Sequence, residues 1–296
     1  DIGGSIRLPS SHCGVYGHKP SFGVIPTYGY LDSVEYHRNV ADVNVFGPIA
    51  RSIDDLDLLV DLLAGPNPDD APGWRLELPP PRATELADFR VAAWLDDSFC
   101  PVDASVTAVL EQAVGALESA GARIDYDLRP ALEPMSASVD GSILIGAATD
   151  ISDAQDGMSH LMWDTMHRQR GQLRQRWTEF FGDVDVLLCP VSPTPAFQHV
   201  HSSQGSNWAH AVLREFDDMP YRHLLRWNTL IGSAYLPVTV PPVGRTPDGL
   251  PVGIQVVAPF LHDRTALAFA RCISEVIGGY EAPPMASPDS SISLIR

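Results

Sequence analysis

Lysine is nearly absent from this sequence. Of its 20 basic residues only Lys19 is a lysine, and the other 19 are arginine. A reaction that needs a lysine base therefore has a single candidate in the 296 residues. Cysteine is sparse as well. Cys13, Cys100, Cys189 and Cys272 are scattered and form no C-x-x-C pair. That suits buried thiols in a reducing, cytoplasmic compartment better than a disulfide framework. No apolar run approaches the ~18 residues of a membrane span, and no signal peptide is visible. Charged residues make up only 19% and basic ones are outnumbered, leaving a net charge of -17. Phosphate backbones and anionic lipid surfaces are read by clustered Lys and Arg, so nucleic acid and membrane are excluded as expected partners.

The chain has apolar residues instead, 45% of the total, enough for a sizeable core. Strand and helix patterns alternate. Phe89 to Leu95 (FRVAAWL) reads as a strand. Asp103 then caps a helix with Val106, Val109, Leu110, Ala113, Val114 and Leu117 on one face, which Gly121 can end. ARIDYDL, DVDVLLCP, LPVTVPP and PVGIQVVAP read as further strands, the last two joined by a connection that holds a Pro-Asp-Gly turn. DRTALAFARCISEVIGG closes as an amphipathic helix. MSASVDGSILIGAAT and HLMWDTMHRQRGQLRQRWTEFF read as helices that cover the sheet or wall a pocket. Such alternation predicts an α/β sheet covered by helices. A Pro-rich stretch, Gly65 to Glu85, reads as an exposed connection, and Ser192 to His210 as a long loop of the kind that carries function.

The opening DIGGSIRLPS contains the candidate chemistry. Two glycines before Ser5 permit backbone angles that a Cβ forbids and let successive N–H groups converge. The following residues can start a helix near Pro9. A turn of this kind suits an oxyanion, although a plain Gly-Gly turn with a capping serine has the same composition. Common motifs do not fit. G-x-S-x-G fails at Arg7, the P-loop fails because His18 separates Gly17 from Lys19, and S-x-x-K fails because Tyr16 stands three before the lysine.

DIGGSIRLPSSHCGVYGHKPSFGVIP resembles the hallmark of the amidase signature family almost without interruption from Asp1 to Gly23. NVFGPIARSIDDLDLLVDLLAG, DVLLCPVSPTPAF and WNTLIGSAYLPVTVPPV…GLPVGIQVVAP resemble further family segments. The resemblance implies a single three-layer α/β/α domain on a large mixed β-sheet, covering residues 1–296 and incomplete at its N-terminus. It implies a region around 135–235 that shapes the substrate pocket. It implies hydrolysis of a small-molecule carboxylic amide through an acyl-enzyme, with Ser5 as nucleophile and Ile2, Gly3 and Gly4, with Ser5 itself, as backbone oxyanion donors. No cofactor and no metal are implied, and homo-oligomer formation is left open. The family's triad is Ser–Ser–Lys, and its lysine and relay serine precede the nucleophile motif. This sequence contains neither segment, so the chain alone is expected to lack its base.

Lys19 matches a different lysine of the motif and is expected to cap carbonyls or pair with an acid. The Asp1 amine lies four residues from the nucleophile, a weak base candidate, and the Asp1 side chain is expected to steady the loop. Arg7 is expected to anchor it through a carboxylate, and Cys13 to pack as a small hydrophobe. His199 with His201, and His160 with His167, are expected to be packed or solvated rather than metal ligands. Trp163, Trp177, Trp208, Tyr221 and Trp227 are candidates for core or for a pocket wall. Two alternatives share the family or its fold. One is the amidotransferase component that works on misacylated tRNA, which usually has threonine where Ile2 stands; the other is a non-catalytic binding protein.

Overall fold

The computed structural model describes residues 1–28, 40, 42–134, 136–137, 159–198 and 221–283. Eight strands among them form a mixed sheet: β1 (Tyr16–Lys19), β2 (Ile49–Ala50), β3 (Arg90–Ala93), β4 (Arg123–Asp125), β5 (Val186–Pro190), β6 (Val238–Val240), β7 (Pro242–Arg245) and β8 (Pro251–Val257). The order is β2-β1-β6-β8-β5-β3-β4, with β7 paired to β8 off this path. β3 runs parallel to both β4 and β5, and the other pairs are antiparallel. The long β8 therefore lies mid-sheet and joins its parallel and antiparallel halves.

Alternation along the strands splits the core into two clusters, one per face. Val91, Ala93, Val186, Leu188, Ile254 and Val256 pack beneath α2 (Ile53–Leu63), α3 (Ala104–Ser119) and the C-terminal helix α7 (Asp263–Ile277). Ala92, Leu187, Cys189, Val238, Val240 and Val257 face the opposite way, against α4 (His160–Asp183) and α6 (Arg226–Gly232). The result is the expected three-layer arrangement. α1 (Arg7–Cys13) and the short α5 (Tyr221–Leu224) are two further helices, and Leu86–Asp88 form a 3-10 turn.

Local signals account for most boundaries. Asp103 caps α3 through Ser105 N–H at 2.8 Å, and Ser52 caps α2 through Asp55 N–H at 3.1 Å. No residue from 65 to 85 is buried. Arg82 nevertheless ties that strap down, donating to the carbonyls of Phe181 at 2.8 Å and Val184 at 3.1 Å. Two features differ from the sequence reading. The residues before the Pro-Asp-Gly turn are more than a connection, because Pro242–Arg245 pair with β8 as β7. A tight turn returns the chain onto itself, so residues on either side of it complete a hairpin. The loop after β5 also begins buried rather than open, with Val191, Ser192, Pro193 and Thr194 all inside. The predicted helix at MSASVDGSILIGAAT falls almost wholly outside the described residues.

Candidate active site

The loop that carries Ser5 is built around the carboxylate of Asp1. Its Oδ1 accepts from Gly4 N–H at 3.0 Å and Arg7 Nη2 at 2.9 Å. Its Oδ2 accepts from the N–H groups of Ile6 (3.1 Å) and Arg7 (3.3 Å) and from Arg7 Nε (3.1 Å). One acid thus gathers three backbone donors and both arms of a guanidinium fork, with neither side chain exposed. The Asp1 backbone is pinned in turn, its carbonyl accepting from Val45 N–H at 3.2 Å. This contact also moves the helix start. α1 begins at Arg7 rather than near Pro9, because Asp1 satisfies the N–H groups that Ile6 has no side chain to cap. Pro9 lies in the first turn, where its missing N–H costs nothing.

Gly4 has φ +131°, a conformation in which a side chain is strained. A Cβ there would also meet Leu8 Cδ1 at 2.9 Å and Asn228 Cγ at 3.2 Å. Ser5 is exposed between buried Gly4 and Ile6. Among the described residues, no acceptor takes the N–H groups of Ile2, Gly3 and Ser5. Of the expected oxyanion donors, Gly4 is the one already committed, to Asp1.

Arg7 is fully buried and links the loop to the rest of the molecule. Nη1 donates to the Asn228 carbonyl at 2.9 Å and to Gln255 Oε1 at 3.1 Å. Burial pushes its pKa down to about 9, which leaves it a cation at neutral pH beside the Asp1 carboxylate. α6 runs under the loop. Asn228 Nδ2 donates to the Val191 carbonyl at 2.7 Å. A Cβ on Gly232 would come within 3.3 Å of Arg7 Nη2 and 3.8 Å of the Ile2 carbonyl. The structure thus brings together Asp1, Gly4, Ser5 and Arg7 with Asn228 and Gln255, two residues that the sequence pattern did not single out. A glutamine inside the apolar run PVGIQVVAP was the available signal for one of them.

Lys19 is buried on β1, and its Nζ donates to the Pro20 carbonyl at 2.9 Å. It caps a carbonyl, as one of its two expected tasks. Burial, with Arg7 nearby, holds its pKa well below the usual lysine range, while Asp263 opposes the shift. Cys13 does not pack as a small hydrophobe. It ends the short α1 and is exposed there, while Cys100, Cys189 and Cys272 are buried, and all four are free thiols. His160 and His167 both stack on Trp163, with ring centroids at 6.2 and 4.8 Å. Trp177 and Trp227 are wholly buried core residues. Trp208, His199, His201 and the Tyr221 side chain lie outside what is described.

A cavity of about 230 Å³ opens between α4 and the residue after α6, lined by Leu132, Met166, Gln169, Arg170, Leu173 and Ser233 among others. Arg170 forms a two-armed ion pair with Asp42, at 3.0 and 2.8 Å, and Tyr235 Oη donates to the same carboxylate at 2.6 Å. Ser233 directly follows Gly232, but no residue of the Ser5 loop lines this cavity.

Comparison with known proteins agrees with this geometry. The amidase family model matches residues 1–155 and 148–267. A glutamyl-tRNA(Gln) amidotransferase subunit of Deinococcus radiodurans is 30% identical, over 93% of this chain and 63% of its own length. An acylamidase of Rhodococcus erythropolis is 31% identical, over 90% of this chain and 58% of its own. The chain therefore spans about three fifths of the length of these relatives. Among solved structures, the glutamyl-tRNA(Gln) amidotransferase subunit from Thermotoga maritima superposes with a TM-score of 0.73 at 20% identity, over 96% of this chain and 64% of that one. A bacterial aryl acylamidase of the amidase signature family gives 0.70 at 20% identity, over 94% and 61%. The sequence match, the mixed three-layer sheet and the Gly-Gly-Ser loop held by an acid all lead to one assignment: the chain belongs to the amidase signature family.

Proposed function

We propose that this chain carries the nucleophile and oxyanion-binding part of a hydrolase that cleaves carboxylic amides. The carrying observation is the Asp1-centred loop, which leaves Ser5 exposed and three neighbouring N–H groups without acceptors among the described residues. In this reading Ser5 Oγ adds to the amide carbonyl. The N–H groups of Ile2, Gly3 and Ser5 hold the oxyanion, each contributing about 3 kcal/mol in the transition state. Gly4 N–H keeps Asp1 in place instead. The amine leaves with a proton, and water then cleaves the Ser5 ester to give the carboxylate. The proton acceptor is the lysine, with its relay serine, that the family places ahead of the nucleophile motif. Four free thiols fit a reducing, cytoplasmic setting.

A second reading, a component of a tRNA-dependent amidotransferase, is favoured by the Deinococcus relative. Ile2 and the net charge of -17 favour the hydrolase. The test uses the protein encoded by the complete reading frame. A fluorophosphonate should label it at Ser5, and Ser5→Ala should lower amide hydrolysis by roughly a thousandfold or more. Turnover of an arylamide supports the hydrolase, whereas ammonia release confined to glutamine supports the amidotransferase. A silent probe together with no turnover of either would leave a binding protein on this fold.

A further inference from the structure

Gln255 is an unexpected residue for its place. It sits in the middle of β8 and is wholly buried, as are its neighbours Ile254, Val256 and Val257. A buried amide is tolerated only when both its ends are hydrogen-bonded, and an apolar side chain would avoid that demand. Both ends are engaged here. Oε1 accepts from Arg7 Nη1 at 3.1 Å, and Nε2 donates to the Pro190 carbonyl at 2.6 Å. The orientation is fixed by its partners. Turned over, the amide would set its NH2 against a guanidinium that can only donate, and its oxygen against a carbonyl that can only accept.

We propose that Gln255 is a positioning residue for the Ser5 nucleophile, acting through Arg7 and Asp1. The inference rests on Ser5 being the nucleophile. The path is continuous. Cys189 and Gln255 are register partners in the β5–β8 pair, so the amide is mounted on the centre of the sheet. It orients the outer arm of the Arg7 guanidinium. The inner arms of that planar group grip the Asp1 carboxylate. The same carboxylate fixes the N–H groups of Gly4 and Ile6, the residues on either side of Ser5. A guanidinium is rigid, so a shift at Nη1 is passed to Nε and Nη2 rather than absorbed. A misplacement of about 1 Å at a reacting group can cost on the order of a hundredfold in rate.

The experiment compares Gln255→Met, Gln255→Asn and Ser5→Ala in the protein encoded by the complete reading frame. It measures arylamide and glutamine hydrolysis, the rate of fluorophosphonate labelling, and thermal melting to give the folded fraction. Methionine keeps the volume and removes both hydrogen bonds. We expect Gln255→Met to lower kcat and the labelling rate by roughly 10- to 100-fold with KM within about twofold. Gln255→Asn, too short to span both contacts, repeats the test if the methionine variant does not fold. Unchanged kcat in a folded Met or Asn variant overturns the proposal. Full turnover by Ser5→Ala would remove the nucleophile assignment and this one with it. A dead Ser5→Ala beside an intact Gln255→Met removes this one alone.

Discussion

An amine held away from water with a carbonyl for its partner is an awkward place for a charge, and Lys19 is such a group. Burial lowers its pKa from 10.5. The folded protein then binds fewer protons at this site than the unfolded chain between the two pKa values, so stability rises with pH across that interval. Below it the full desolvation penalty applies. Lys19→Met removes the titration. Its stability advantage over the parent should therefore be largest at low pH and shrink as pH rises toward the ordinary lysine value of 10.5. Urea unfolding at a series of pH values checks this, and a difference that stays flat or widens would refute it. Residues at this scale were unevenly legible in the sequence. Ser5, Asp1 and Arg7 lie within seven positions, and one motif singles out all three. Gln255 belongs to the same network, but it hides in an apolar strand whose partner is 248 residues away. Local pattern reports burial there and not the partner.

Elements are most legible where one signal acts alone. α3 follows from its cap and its apolar face, and β5 and β8 follow from short buried runs. β7 escapes such reading because its pairing is created by the turn after it. Close approach between elements is the least visible feature of all. Gly47, just before β2, sits where a Cβ would fall on the His18 carbonyl oxygen of β1. It would also lie 2.7 Å from Pro20 Cδ and 2.9 Å from Ile6 Cδ1. Backbone cannot rotate aside as a side chain can. Gly47→Ala should therefore cost about 2 kcal/mol or more. The measurement is the urea midpoint at constant m, and an unchanged midpoint would sink the idea.

At the scale of the molecule, early and late parts of the chain are welded together. Asp263, the first residue of α7, accepts from Ser21 N–H at 2.8 Å and Ser21 Oγ at 2.7 Å, and it faces His18 Nε2 at 3.2 Å. Burial alone would raise its pKa, but the hydrogen bonds from His18 and Ser21 outweigh that and lower it. α7 also supplies Leu267, Phe269, Ala270 and Ile273 to the cluster shared with α2 and α3. A chain ending at Leu261 should lose its cooperative melting transition, because it removes the Asp263 partner of buried His18 and Ser21 and opens that cluster. Circular dichroism melts compare the two chains. A sharp transition within a few degrees of the parent would contradict the expectation.

The Arg7 clamp has a consequence in time. Its holding partners, Asn228 and Gln255, are among the later residues to be synthesised. At roughly 5–20 residues per second, a ribosome needs about 10–50 s to travel from the serine to the glutamine. Through that interval the emerging polypeptide carries the Ser5 loop without its contacts to α6 and β8. The loop around Ser5 is therefore complete only once the hairpin that contains β8 has docked.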